Sequence, residues 1–184
     1  MSDTTENDEF AALWDRRHGI LYRIELSVLY HRKRERFFDT VDRLIKTVAL
    51  IGGSAAFAKA TDADIVKWAA VAIALTSAFS LVFAFSERAR KHAELGKSFS
   101  ELAANLLQKG ERDFSEADLN LLEADVRHLE STEPATLGAL VVICQNELAV
   151  AQNHPEMLHE LRFHQRLFAQ FWDFRIPPAL HPAS

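Results

Sequence analysis

The chain has 184 residues, 48% of them hydrophobic and 26% charged, with only 6 Gly and 5 Pro, which excludes collagenous, low-complexity and wholly disordered classes. Twenty-one Lys plus Arg against 26 Asp plus Glu give a formal charge of -5, so a generally basic nucleic-acid binder is excluded and no DNA binding is expected. The single cysteine, Cys144, allows neither an intramolecular disulfide framework nor a Cys-rich zinc site.

Met1 to Glu9 is acidic and lacks the basic-then-apolar order of a secretory leader, so no cleaved segment is expected. From Asn7 to Arg36, Phe10, Leu13, Trp14, Leu21, Ile24 and Val28 recur at helical spacing and predict an amphipathic helix. Asn7 is its expected cap, and Gly19 its weak point. Beyond the basic run His31 to Arg36, the residues from Thr47 to Ala58 carry no charge. Extended back to Val41, this segment is about 27 Å of helix, a marginal span that needs Arg43 and Lys46 to reach the headgroups and Asp42 to pair with Lys46.

A second apolar segment, Ile65 to Phe85, makes about 31 Å of helix, which matches a bilayer core, and Lys67 near its end can snorkel. Only Lys59 to Asp64 separates the two segments, so they are expected to form an antiparallel transmembrane hairpin. Arg32, Lys33, Arg34 and Arg36 precede it, and Arg88, Arg90, Lys91 and Lys97 follow it, which puts both flanks on the cytoplasmic side. A soluble oligomer that buries two apolar helices does not explain cations at both outer ends and not at the loop.

Amphipathic helices return after Phe85. Leu95, Phe99, Leu102, Leu106 and Leu107 form the face of one that continues from the second span and stops at Gly110. Ser115-Glu116-Ala117-Asp118 has the form of a capping box, with Leu119, Leu122, Val126 and Leu129 behind it. Thr132-Glu133-Pro134 predicts another start, and His154-Pro155 opens a last helix carrying Leu158, Leu161, Phe168, Phe171 and Trp172. The fold class is all-α: a transmembrane hairpin with a cytoplasmic helical domain formed by the N-terminal helix and the C-terminal helices. The expected divisions are residues 1–40, 41–86, 87–176 and a flexible tail 177–184.

Catalytic, cofactor and metal signatures are not found, and a non-enzymatic protein is expected. Gly52-Gly53-Ser54 lacks the Gly-Lys-Ser/Thr of a phosphate loop. Cys144 lies on an apolar stripe, and His154, His159 and His164 are spaced by five, which turns them to different helix faces. Small and hydroxyl residues are the informative feature, because helices in lipid associate through close packing and hydrogen bonds. Gly52, Gly53, Ser54 and Ala56 on the first segment, and Ala70, Ala74, Thr76, Ser77, Ala78 and Ser80 on the second, are the expected helix-packing or pore-lining residues. Two spans cannot enclose an aqueous path alone, so conduction needs a homo-oligomer. Arg32, Lys33, Arg34, Arg36, Arg88, Arg90 and Lys91 either contact an anionic lipid or nucleotide, or simply fix topology.

Tyr22-Arg23, Tyr30-His31-Arg32 and Arg34, the Gly52-Gly53-Ser54-Ala55-Ala56 span, the short loop, the second span, and Glu87-Arg88-Ala89-Arg90 together resemble the SLATT domains. These are two-transmembrane effector proteins of bacterial nucleotide-linked conflict systems, and the likeness runs from about Leu13 to Trp172. The resemblance implies an oligomeric effector in the bacterial inner membrane with both termini cytoplasmic, which permeabilises the membrane of an infected cell. It also implies control by a nucleotide or oligonucleotide second messenger, or by the enzyme that makes it. Hydropathy equally allows a non-conducting scaffold that recruits a cytosolic partner; a soluble helical oligomer is the third reading, recoverable without detergent.

Overall fold

Apolar residues at helical spacing dominate the chain, and the computed structural model is correspondingly all-α, with no strand among the described residues. It describes residues 2–58, 61–110, 114–174 and 176, with side chains from residue 8 onward. The expected flexible tail 177–184, and Lys59 and Ala60 of the expected loop, lie outside the described residues.

Helix α1 runs unbroken over Ser2–Ala58, so Asn7 lies within a helix and does not cap one. The chain passes through Gly19 without a break. The basic run after His31 contains good helix formers and no Gly or Pro, so the change in polarity alters the environment and not the backbone. Helix α2 spans Ala63–Phe83 and α3 spans Phe85–Gln108, separated only by Ala84 in the left-handed region (φ 46°, ψ 46°). Gly110, at φ 81°, supplies the expected stop. Helix α4, Glu116–Thr132, starts at the expected box: Ser115 Oγ accepts from the Asp118 N–H at 3.2 Å, and Asp118 Oδ2 accepts from the Ser115 N–H at 3.0 Å.

Two expectations fail after α4. Helix α5 spans Gly138–Ala151, so Thr132-Glu133-Pro134 does not start it. Pro134 disfavours helical backbone at the residue before it, and Glu133 is extended at φ -70°, ψ 142°. The single last helix is also absent. A 3-10 turn at Pro155–Met157 and a short α6, Phe163–Leu167, stand in its place. Asn146 explains the interruption: its side chain donates to the His159 carbonyl and accepts from the His159 N–H, both at 2.8 Å, which takes that backbone out of helical pairing.

The structure divides into two units, one of described residues up to Arg32 and from Glu94 onward, the other Lys33–Ala93. In the first, Arg16 reaches Glu123 at 2.8 Å, Arg23 grips Glu130 at 2.6 Å, and the Tyr30 hydroxyl oxygen accepts from the Leu137 N–H at 3.1 Å. Each of these pairs is separated by 107 positions, so α4 runs parallel to α1 with contacts repeating every two turns. Helix α3 runs antiparallel to α1, since Arg17 donates to the Gly110 carbonyl at 3.4 Å while His31 stacks on Phe99 at 5.8 Å. Between them lie Ile20, Ile24, Phe99, Leu106, Leu119, Leu122 and Val126, a core set by the apolar stripes of three helices. A second cluster joins Tyr30 to Ala139, Leu140, Cys144 and Ala169. His31 is wholly buried, with Nε2 3.1 Å from Glu133 Oε1.

The Glu123 carboxylate, bonded by Arg16 and Arg127, titrates at about 2, below its ordinary 4.5. Because the folded value is the lower one, its contribution is present above pH 4.5 and is lost as pH falls towards 2. Melting temperature is therefore expected to fall more steeply over that window in the native chain than in Glu123→Gln, measured by circular dichroism. Parallel curves would remove this linkage.

Candidate functional site

Lys33–Ala93 contains the apolar hairpin and most of both basic flanks, with Arg32 and Lys97 in the other unit. Asp62 starts α2 by accepting from the Asp64 and Ile65 N–H groups at 3.2 and 3.3 Å. The antiparallel seam is built from small residues. A Cβ added at Gly52 would lie 3.5 Å from Ile73 Cγ1 and 4.0 Å from the Ala69 carbonyl, so the two backbones approach where α1 has no side chain. Gly52, Gly53 and Ala56 are half-buried on α1, as are Thr76 and Ser80 on α2, while Ala69 is buried. The Thr76 hydroxyl donates to the Ala72 and Ile73 carbonyls at 2.8 and 3.0 Å, satisfied within its own helix.

The other expected packing residues are placed differently. Ser54, Ala70, Ala74, Ser77 and Ala78 are exposed, so the alanine ladder turns away from the α1–α2 seam. Ladder and seam differ because Ala69, Ala72, Ile73, Thr76 and Ser80 follow one helical face, and Ala70, Ala74 and Ala78 follow the next. Around both faces, large apolar side chains stand uncovered: Trp68 is 70% exposed, Leu81 84% and Val82 74%, with Leu50 and Phe57 exposed on α1. Among the described residues one helical stretch, Ala63–Gln108, is long and apolar enough to cross a membrane. The α1 segment does not reach that standard, since it carries Asp42, Arg43 and Lys46.

These charges are partnered along the helix. Lys46 Nζ lies 2.6 Å from Asp42, as the four-residue spacing predicts, and Arg43 lies 2.8 Å from Asp39.

Phe38 organises the basic end of the unit, and the sequence reading gave it no role. It is 4% exposed, with the Arg34 guanidinium 4.3 Å and the Arg88 guanidinium 6.0 Å from its ring centroid, while His92 stacks on it at 5.6 Å. Arg34 and Arg88, one from each flank, thus both approach a single ring. Phe85 joins them at 6.3 Å. Lys33 is half-buried, Arg36, Arg90 and Lys91 are exposed, and Arg32 belongs to the other unit. The available signal was the spacing: Phe38 lies four residues after Arg34, and His92 four after Arg88, which puts each pair on one helical face.

The three histidines do not converge: His154 bonds Glu156 at 2.8 Å, His159 serves Asn146 through its backbone, and His164 packs on Phe174. Cys144 is buried in the apolar cluster. Comparison with family models, curated proteins and solved structures gave no match.

Proposed function

We propose that the hairpin is embedded in a bilayer and that several copies assemble into a pore-forming effector. One observation carries this reading: the apolar side chains of α2 are exposed on nearly every face, with Ala69 alone buried. A soluble core helix is covered by its own chain, and a contiguous apolar surface of this kind is costly in water but at rest in lipid. The basic flanks meeting at Phe38 support a cytoplasmic position for that end. The exposed alanine ladder and Ser77 provide a close-packing face for a second copy, and assembly also relieves the mismatch of the marginal first segment.

The resemblance to SLATT domains supports a place in bacterial anti-phage defence by abortive infection, under a nucleotide signal or partner protein. Ion flux from vesicles containing the purified chain tests the pore. Flux that rises with protein density is expected, and tight vesicles with every nucleotide tried would remove it. A non-conducting scaffold is favoured by a different observation, the exposed Phe163, Phe168 and Trp172 of the first unit, which suit a protein partner. Ser54→Leu separates the two, because Ser54 is exposed: it is expected to abolish flux from a pore and to leave partner recruitment intact in a scaffold.

A further inference from the structure

The hairpin unit contains a cleft of about 730 Å³ between α1 and the α2–α3 junction. Its composition changes across its walls. Ile45, Ala49 and Leu81 make an apolar groove, whereas Lys46, Ser86 and Arg90 bring two cations and a hydroxyl to the same space. Ala84 lies on the wall in left-handed backbone, a conformation that is strained for a non-glycine residue and recurs at binding sites. This break between α2 and α3 separates the apolar turn around Leu81 from the charged turn around Glu87 and Arg90.

We propose that this cleft binds a glycerophospholipid, with the phosphate against Lys46 and Arg90 and an acyl chain along the Ile45–Ala49 groove. The inference rests on the membrane reading above. A phosphate alone would use the cations and leave the apolar wall wet; a lipid satisfies both, and the volume accommodates a headgroup with its first methylenes. Lys46 is held by Asp42 at 2.6 Å and Arg90 has a partner of its own, but an ammonium has three donors and a guanidinium five, so both cations keep donors for a phosphate. Among the described lining residues Glu87 is the one carboxylate. It favours a headgroup with an amine beyond its phosphate, which makes an ethanolamine phospholipid the expected occupant over a choline one, whose quaternary nitrogen cannot donate.

The test is native mass spectrometry of the full chain extracted in mild detergent, alongside carbonate washing of its membranes. The native chain is expected to retain ethanolamine phospholipid, and Lys46→Gln with Arg90→Gln to lower the retained fraction about tenfold at unchanged particle mass. Ala49→Phe, which fills the groove and keeps both cations, is expected to have the same effect, and Glu87→Gln to equalise ethanolamine and choline lipids. Retention unaffected by the cation and groove variants, or displacement of lipid by inorganic phosphate alone, would overturn the site. A chain that resists carbonate yet retains no lipid overturns the site while the membrane reading stands; a chain that carbonate removes overturns both.

Discussion

Gly52→Leu is expected to force α1 and α2 apart and to lower the thermal stability of the detergent-solubilised chain, with a cost of about 1–3 kcal/mol typical of overpacking. The position has room for one carbon and no more. An added Cβ would meet Ile73 Cγ1 at 3.5 Å, which is ordinary contact, whereas the isobutyl group beyond it must displace Ile73 or the Ala69 backbone. Gly52→Ala is therefore the control: it fits, and it adds helix propensity worth up to about 1 kcal/mol in an aqueous helix. Equal melting temperatures for Gly52→Leu and Gly52→Ala would show that the seam is not packed as described. Because the seam belongs wholly to Lys33–Ala93, the change is expected to leave the parallel α1–α4 register of the other unit undisturbed.

Phe99→Ala is expected to have a still larger effect, about 3–5 kcal/mol, because a fully buried aromatic leaves a cavity that packed helices fill only in part. Phe99 is 0% exposed and belongs to the cluster that holds Ile20, Ile24, Leu119 and Val126. It also stacks on His31, which lies at ion-pair distance from Glu133, so truncation removes one wall around a buried polar pair. Chemical unfolding of the full chain in detergent, followed by circular dichroism, measures the cost. A loss below about 1 kcal/mol would mean that this core is not the close-packed cluster described.

Most of the helical architecture was legible locally, and what was not depended on partners far away in sequence. The Ser115–Asp118 box, the Gly110 stop and the Asp42–Lys46 pair each act within a turn or two, and each appears where spacing predicts it. The parallel arrangement of α1 and α4 was written in the sequence but not read. Arg16 and Arg23 lie two turns apart on one helix, as Glu123 and Glu130 do on the other, a repeat that pairs only in register. The last helix was mistaken because Leu158, Leu161 and Phe168 mimic its apolar period, while the Asn146 side chain that holds His159 lies back on α5. Gly138 shows the same dependence: a Cβ there would come within 2.7 Å of the Phe174 carbonyl, a close approach that no local pattern announces.

In the candidate site, spacing identified the small residues but not their division between faces. Gly52, Gly53, Ala56, Thr76 and Ser80 line the seam, whereas Ala70, Ala74 and Ala78 face away from it, since which neighbouring stripe meets α1 is set by contacts such as Gly52 with Ile73, far apart in sequence. The flanking arginines were recognised as a charge pattern. That Arg34 and Arg88 converge on Phe38 required the hairpin to close.

Thiol labelling from outside intact cells tests the central claim most directly, because the only native cysteine, Cys144, is buried. With the hairpin in the membrane and its basic end inside, Thr61→Cys at the turn is expected to react with an impermeant maleimide in intact cells, and Gln108→Cys at the end of α3 only after permeabilisation. Labelling of both positions only after lysis, or labelling of Gln108→Cys alone in intact cells, would contradict the account.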